Sequence, residues 1–557
     1  MSQTRRVSTE QGLYALALLL ALVLRLWRLG AAPLGEGEAR LALNALGVAG
    51  RHVQALGAAP LLTALSGLAF FALGSTNAIA RLVPALVGSF LPALAWPLRR
   101  AVGRPNALVL AFALALDPAL VALSRRADSP VLAVAALVAL LIAVYRQRWA
   151  WAFPLLALGA LSGPTFWWGG LALLLGLALW RVRGGRLRLK VDLPAVKRGA
   201  WIALGLWVLG ASLAFWTPEG VGSLLNSLVA LVRMFFHRQG ASPWLLGVAL
   251  AAYAPLASAA AAVAAGIACF RQRRLPWWGW VILATMLLWV LTPSRGVALL
   301  AWLMPLLWLA AAEALTALPR RHLRDAAWQA AVLLSMLGFS GLNLAAWSQR
   351  NGQQASLALL LSVGTWGLAL ILAALMATSW RGYGRRWGEA LGGLTWGLSA
   401  VGGLLTVAAL FHAAYGPRSA EIWYPQATAT PTVLLQTTLE DMAQWYTGRP
   451  DALEVVDLTR TAPVAWMLRH MPAAHSQLAL GPAQRPQVVV AFETWQPQNL
   501  GGYRGQDFLF RRTSVWPFAS TKHAVQWLFF RRPLPLPQTR LVLWMQADLF
   551  PQPKKRP

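Results

Sequence analysis

Long apolar runs alternate with short polar loops through the first 411 residues of the chain. Most of these runs approach the ~20 residues that a helix needs to cross the hydrocarbon core of a bilayer. They lack the alternating apolar and polar positions of a barrel strand, whereas a helix satisfies its own backbone hydrogen bonds in lipid. The pattern therefore predicts a polytopic α-helical membrane protein with about 13 spans.

Basic residues near the ends of the runs predict how the spans are oriented. Arg5 and Arg6 precede the first run, and positively charged loops favour the cytoplasmic side. The proline-led run Pro60–Gly74 is predicted to lie along the outer interface, because the later basic clusters then all fall inside. The N-terminus is thus expected inside the cytoplasmic (inner) membrane and the C-terminus outside. The predicted spans cover 13–29, 78–98, 106–124, 129–145, 149–162, 165–180, a run ending near Trp216, 243–269, two runs joined by 293–295, 326–346, 355–378 and 391–411.

The composition changes near His412, where the long apolar runs stop and Pro, Thr and Gln become more frequent. We therefore predict a transmembrane domain over 1–411 and a small extracytoplasmic α/β domain over 412–557. Within the second domain, Leu453–Leu458 and Gln487–Phe492 have the pattern of buried strands, and Ala462–Met471 has that of a helix. This domain has no sequence motif for a phosphate loop or a nucleophile elbow.

The charge distribution narrows the class of function. The chain has 49 Lys and Arg against 19 Asp and Glu, but much of the excess lies in short inter-span loops, which is typical of a topology signal rather than of a nucleic-acid-binding face. The single cysteine, Cys269, allows neither a disulfide framework nor a thiolate metal site. A transporter is disfavoured because the spans lack recurring intramembrane charges.

Two of the few carboxylates stand one residue apart directly after the first span, at Glu36 and Glu38. Acidic residues in a first helical turn are stabilised by free N–H groups and the helix dipole, so a solvated helix N-terminus would account for them. A catalytic base, or an acid that holds a metal at the membrane surface, is the alternative interpretation.

Several short motifs surround this acidic segment. They are Glu38-Ala39, Pro60 at the start of the interfacial run, Phe71-Ala-Leu-Gly74, Ala80-Arg81-Leu-Val-Pro84, and Ser124-Arg125 with Asp128. Together they resemble the motifs of the C-type (GT-C fold) membrane glycosyltransferases, in particular the protein O-mannosyltransferase and aminoarabinose transferase branch. The resemblance extends over roughly residues 13–200, and beyond them it is one of architecture.

The resemblance implies an inverting glycosyltransferase that moves a sugar from a polyprenyl-phosphate donor to an acceptor glycan, lipid or protein at the outer face of the membrane. The acceptor hydroxyl has to lose a proton as it attacks, so Glu38 or Glu36 is expected as the base. The family's usual Asp is replaced here by Gly37. A non-catalytic protein of the same fold, which binds or assembles lipid-linked sugars, is therefore the alternative.

The resemblance also implies cations, or a divalent metal ion, around the leaving phosphate. The candidate ligands for the donor phosphate are Arg125, Arg126, Asp128, Arg233 and His237, and Asp128 is the candidate metal ligand. An ion pair of Asp128 with the neighbouring arginines is the structural alternative. Arg233 and His237, four residues apart on one helical face, would then reach towards lipid headgroups.

Overall fold

The computed structural model of the chain describes residues 8–50, 56–186, 190–212, 222–238, 240–317, 323–379, 384–416, 418–481, 484–495, 502–512, 520–531 and 538–550. Most of them are helical. The predicted end of the seventh span, near Trp216, lies outside the described residues. The helices are α1 Thr9–Leu26, α2 Glu36–Ala49, α3 Pro60–Leu73, α4 Asn77–Phe90, α5 Ala95–Val102, α6 Arg104–Leu116, α7 Pro118–Ser124, α8 Pro130–Tyr145, α9 Trp149–Leu161, α10 Pro164–Val182, α11 Leu193–Ala211, α12 Ser223–Met234, α13 Trp244–Tyr253, α14 Pro255–Gln272, α15 Trp277–Leu291, α16 Leu303–Thr316, α17 Leu323–Gln349, α18 Gln353–Ser379, α19 Gly384–Tyr415, α20 Thr432–Thr447, α21 Ala462–Met467 and α22 Thr521–Phe530.

Five of the described helical segments are long and apolar enough to cross a membrane, or seven if each of two bent pairs counts as one span. This supports a multi-pass membrane protein, but it does not reproduce the predicted count of about 13 spans. Several predicted spans are short: α8, α9 and α15 have 16, 13 and 15 residues. The qualifying segments are Thr9–Leu26, Asn77–Val102, Pro164–Val182, Val297–Thr316 and Trp396–Tyr415.

Two of the predicted spans are broken. The third bends by 50° between α6 and α7, and the eighth bends by 101° between α13 and α14. Both breaks fall directly before a proline, Pro118 or Pro255, which removes a backbone donor and disfavours a helical residue before it. At the first break, Asp117 caps α7 by accepting a hydrogen bond from the Leu120 N–H at 2.8 Å.

Helices α2 and α3 form a close pair between the first and second predicted spans. A Cβ on Gly67 of α3 would lie 2.8 Å from a methyl carbon of Val48, so only glycine allows the helices to approach this closely. The predicted proline-led helix is present as the 14-residue α3. Its position relative to a bilayer stays a prediction.

A five-stranded sheet follows the last long helix. Its strands are β1 Val455–Asp457, β2 His475–Ser476, β3 Val488–Phe492, β4 Tyr503–Arg512 and β5 Gln538–Gln546, in the order β2-β1-β3-β5-β4. β1 pairs in parallel with β2 and β3, whereas β5 is antiparallel to β3 and β4. The strands predicted at 453–458 and 487–492 are therefore present, and α21 occupies the predicted helix. The domain boundary at 411/412 stays a prediction, since α19 continues to Tyr415.

The α/β unit packs against the α2–α4 region through α21. The Trp466 indole donates a hydrogen bond to Asn77 Oδ1 at 2.8 Å, and its ring packs on Phe70. The Arg469 guanidinium donates to the Ser75 carbonyl at 2.8 Å and stacks on the Trp466 ring. These contacts join the α/β unit to the end of α3 and the start of α4.

Candidate functional site

Glu38 lies in the first turn of α2, where its side chain is buried. Its Oε2 atom accepts a hydrogen bond at 2.9 Å from the backbone N–H of Gly35, the residue that caps the helix. A Glu three residues after a cap commonly reaches back in this way. Gly35 has to be glycine, because a Cβ there would lie 2.8 Å from the Gln426 carbonyl oxygen.

The main partner of Glu38 is Arg81 of α4, whose side chain is fully buried. The guanidinium meets the carboxylate with two bonds, from Nε to Oε1 at 2.8 Å and from Nη2 to Oε2 at 2.9 Å. Its remaining donors reach the loop that follows α1, through the carbonyls of Leu29, Ala32 and Pro33. A planar guanidinium suits such two-point binding, and here it ties the first loop to α4.

Two further groups approach the Glu38 carboxylate. The Ala127 backbone N–H donates to Oε1 at 3.0 Å, and Arg418 Nη1 lies 3.5 Å from Oε2. Burial alone would raise the pKa of Glu38, but the charges of Arg81 and then Arg418 outweigh it and hold that pKa well below its usual range. Glu38 is therefore a fixed anion that joins three separate loops, and it is a weak proton acceptor.

Glu36, two residues earlier, contacts the α/β unit instead. It forms ion pairs with Arg40 at 3.1 Å and with Arg511 of β4 at 3.2 Å, and the Ala462 N–H donates to it at 3.4 Å. Its side chain is 18% exposed, against 7% for Glu38. Of the two acids, Glu36 is the one with access to solvent and without a two-point guanidinium partner.

A cavity of about 400 Å³ opens beside the Glu38 cluster. Three guanidinium side chains line it, and none of its described lining residues is acidic. We call it the three-arginine cavity, after Arg28, Arg125 and Arg418. It is lined by Arg28, Ala31, Ala32, Arg125, Ala414, Tyr415, Gly416, Arg418, Ser419, Thr428, Ala429 and Thr430.

Arg125 is held from behind by the end of α1. Its Nη1 donates to the carbonyls of Leu24, Arg25 and Trp27 at 2.9 to 3.0 Å, which a helix C-terminus leaves without intrahelical partners. The guanidinium also lies over the Tyr415 ring at 4.9 Å. Its buried Nε has no hydrogen-bond acceptor among the described residues.

Arg418 links the cavity to Glu38. Its Nη2 donates to the Arg125 carbonyl at 3.3 Å, and its guanidinium lies over the Tyr424 ring at 4.6 Å. Burial, followed by the like charge of Arg81, lowers the pKa of Arg418 to about 10. Arg418 therefore stays protonated at neutral pH, and the cavity presents positive charge to an anion.

Arg126 and Asp128 form an ion pair with each other, and neither lines the three-arginine cavity. Arg126 Nη2 lies 3.1 Å from Asp128 Oδ2, and its Nη1 donates to the Trp423 carbonyl at 2.8 Å. Within the described residues, no three His, Cys, Asp or Glu side chains converge to hold a metal ion. The donor set around Asp128, one carboxylate bonded to an arginine, does not fit a metal, and we derive no step through one.

Arg233 and His237 lie at the end of α12 and beyond it, where both are exposed. Neither is among the residues that line the three-arginine cavity. Of the predicted phosphate ligands, only Arg125 lines this cavity. The structure thus brings the loops carrying Glu38 and Asp128 together, but neither Glu36, Glu38 nor Asp128 lines the cavity.

Sequence analysis missed Arg28 and Arg418 and gave no role to Arg81. Arg81 lies inside the motif Ala80-Arg81-Leu-Val-Pro84, so the sequence did contain a signal for its importance. Arg28 has a positive φ of 51°, a conformation that sequence alone does not reveal for an arginine. Arg418 follows the last long helix and reaches the site only through the tertiary fold.

No protein-family profile matches the chain, and no curated protein matches its sequence. Among solved structures, it is similar to apo ArnT from Cupriavidus metallidurans, with a TM-score of 0.55 and 15% identity over 98% of this chain and 100% of that one. ArnT from the same organism bound to undecaprenyl phosphate gives 0.52 and 16% identity over 85% and 86%. The Archaeoglobus fulgidus oligosaccharyltransferase reaches only 0.39, with 13% identity over 84% and 63%. With the two ArnT structures the chain shares its fold.

Proposed function

We propose that the protein is a membrane glycosyltransferase that takes its sugar from a polyprenyl-phosphate donor, and that the three-arginine cavity binds the donor phosphate. The observation that carries this proposal is the convergence of three guanidinium groups on a cavity without a described acidic lining residue. A fold shared with a protein that has undecaprenyl phosphate bound supports the same ligand class. We further propose that the cavity opens towards the outer face of the cytoplasmic membrane.

The proposed reaction is a single inverting displacement. The acceptor oxygen forms a bond to the anomeric carbon, the bond from that carbon to the phosphate oxygen breaks, and its electron pair leaves with the phosphate. Guanidinium groups stabilise the growing phosphate charge, as Arg125 and Arg418 are placed to do. The acceptor proton passes to a carboxylate, and Glu36 is the better candidate because its side chain is partly exposed.

Glu38 is proposed as a positioning residue. Its contact with Arg418 and its two-point bond to Arg81 hold the arginine that lines the cavity. Because its carboxylate already accepts four hydrogen bonds and its pKa is lowered, taking up a proton would disrupt the cluster.

A non-catalytic protein that binds lipid-linked sugars is the second candidate function. It is favoured by one observation: Glu36 and Glu38 both form ion pairs, and neither lines the cavity. A protein with this function would bind the carrier phosphate in the cavity in the same way. It would have no group to take the proton from the hydroxyl of an acceptor, and so would transfer no sugar.

Two measurements on the full chain test these proposals. In nanodiscs, we expect Arg28→Gln to weaken undecaprenyl phosphate binding about tenfold, the effect of losing one charge-assisted contact of ~1.5 kcal/mol. Arg485→Gln, the same charge change at an exposed residue of the α/β unit, should leave the affinity unchanged. Equal effects of the two variants would refute the assignment of the cavity.

The second measurement is radiolabelled sugar transfer in proteoliposomes, with mannosyl and aminoarabinosyl phosphoundecaprenol as donors. We expect wild-type transfer above background and its loss in Glu36→Gln with carrier binding retained. Binding without transfer from either donor, for wild type and variant alike, would favour the non-catalytic function. Absence of carrier binding would overturn both.

A further inference from the structure

A second arginine-rich cavity lies at the C-terminal end of α10. It has a volume of about 730 Å³ and is lined by residues from the end of α10 and from the connection between α14 and α15. Four of its lining residues are arginines, Arg183, Arg186, Arg273 and Arg274. We call it the four-arginine cavity. At ~30 Å³ per water molecule in the liquid, it has room for more than a single phosphate group.

Its position follows from α10. A Cβ on Gly163, just before α10, would lie 2.7 Å from the Ala58 carbonyl oxygen, so this helix begins beside the start of α3. α10 has 19 residues and is therefore about 28 Å long at 1.5 Å per residue. It is one of the segments long and apolar enough to cross a membrane. The four-arginine cavity thus lies about a bilayer core away from the α2–α3 pair.

Aromatic side chains form part of the wall of this cavity. The Trp180 ring packs against Gly185, where a Cβ would lie 2.4 Å from the ring atoms. The Arg183 guanidinium lies 5.4 Å from the centre of the Trp280 ring. Tryptophans at helix ends are typical of the membrane–water interface, so the cavity is expected at the level of the lipid headgroups.

The arginines are available to a ligand. All four are exposed, and none forms an ion pair with a described acidic residue. The chain also makes close contact across the two loops: Gly184 has φ +90°, and a Cβ there would lie 3.4 Å from an Arg274 nitrogen. The start of α15, whose capping residue Pro276 lines the cavity, adds the positive end of a helix dipole.

Topology alone does not require this arrangement. The positive-inside rule counts basic residues loop by loop, whereas here two loops distant in sequence direct their arginines into one cavity between apolar helices. We propose that the four-arginine cavity binds the anionic headgroup of a membrane phospholipid, with phosphate oxygens on the guanidinium groups and acyl chains along α10 and α15. Basic pockets between membrane helices favour such headgroups. The proposal is independent of sugar transfer.

The experiment is a lipid titration of the delipidated full-length protein followed by native mass spectrometry. The probes are cardiolipin, phosphatidylglycerol and, as a neutral lipid, phosphatidylcholine. We expect the Arg183→Gln, Arg274→Gln double variant to bind the anionic lipids about tenfold more weakly, because it loses two guanidinium contacts that are exposed to solvent and therefore contribute about threefold each. The control is Arg146→Gln, Arg148→Gln, which removes the same charge from exposed residues after α8 and should change the affinity by less than about twofold.

Three results would overturn the proposal. Equal loss in the two double variants would indicate general attraction to basic loops, and equal affinity for phosphatidylcholine would indicate that the headgroup charge is not recognised. Wild-type binding of inorganic pyrophosphate as tight as that of cardiolipin, and lost in the cavity variant, would assign the site to a free phosphate compound. If the double variant misfolds, the single variants Arg183→Gln and Arg274→Gln replace it. A loss of about threefold or more for each supports the proposal, and a smaller loss contradicts it.

Discussion

The two-point bond between Arg81 and Glu38 gives the sharpest prediction. Arg81→Met keeps a long side chain but leaves the Glu38 carboxylate buried beside Arg418, which contacts it only at 3.5 Å. Removing one partner of a buried ion pair costs about 3–5 kcal/mol. The carbonyls of Leu29, Ala32 and Pro33 lose a donor as well. We therefore expect the free energy of unfolding to fall by about 4 kcal/mol.

The assay is equilibrium unfolding in mixed detergent micelles, monitored by tryptophan fluorescence. Arg40→Met is the matched control, because Arg40 forms an ion pair with Glu36 while its own side chain is 72% exposed. An exposed pair of this kind contributes only ~0–1 kcal/mol. The double variant Glu38→Met, Arg81→Met removes both charges, so its cost should be smaller than the sum of the two single costs by about 1–3 kcal/mol.

The reasoning fails if Arg81→Met and Arg40→Met destabilise the protein equally, or if the Glu38 and Arg81 substitutions are additive. Glu38→Gln separates an anchor from a base. If Glu38 anchors Arg81 and Arg418, the variant should lose both stability and carrier affinity, since a neutral Gln cannot hold two guanidinium groups. If Glu38 were instead the catalytic base, the variant would keep both its stability and its carrier affinity, and only the rate of sugar transfer would fall.

Three more predictions concern single groups near the site. The lowered pKa of Glu38 contributes stability that is present above the unfolded-state pKa of ~4.3 and is lost as the pH falls below it. The midpoint of unfolding should therefore fall more steeply below pH 4 in wild type than in Glu38→Gln, and parallel pH profiles would contradict this. Gly37→Asp should leave the free energy of unfolding within about 0.5 kcal/mol of wild type, because a Cβ there meets no atom within 4 Å and the change adds an acid to a first helical turn. A larger loss in the same unfolding assay would contradict the geometry of α2. Asp117→Ala removes the α7 cap and the acceptor of the Trp308 indole at 2.8 Å, so the free energy of unfolding should fall by about 2–4 kcal/mol. The control is Asp192→Ala, because Asp192 stands before α11 without a capping hydrogen bond. Equal losses in the two variants would count against the cap.

The helical membrane architecture could be predicted because long apolar runs leave few alternatives in lipid. The number of spans could not. Apolar composition does not distinguish a straight helix from one that bends at Pro118 or Pro255, because the bend depends on which carbonyls and side chains pack around the proline. In the α/β unit, β1 and β3 followed from their runs of Val, whereas the two-residue β2 carries no such pattern.

The acidic segment could be found by its rarity, but its electrostatics could not be predicted from neighbouring residues. The partners of Glu38 come from α4, from the loop at Ala127 and from Arg418 after α19, so its lowered pKa is a property of the tertiary fold. The same limit explains why Arg125 was found and Arg418 was not. Arg125 stood beside Asp128 in a motif, whereas Arg418 is close to the site only in space.

The way in which the cavity arginines are held bears on what they can do. A guanidinium that is bonded to nothing would have to be ordered when a phosphate arrives, and that ordering would weaken binding. Arg125 is instead fixed by three carbonyls at the end of α1 and by the Tyr415 ring, and Arg418 by Glu38 and the Arg125 carbonyl. Both charges are thus in place before any ligand binds, as electrostatic stabilisation of a leaving group requires. It follows that Glu38, though outside the cavity, should affect binding through Arg418. We expect Glu38→Gln to weaken undecaprenyl phosphate binding when Arg418 is present, and to have little further effect in a protein that already carries Arg418→Gln.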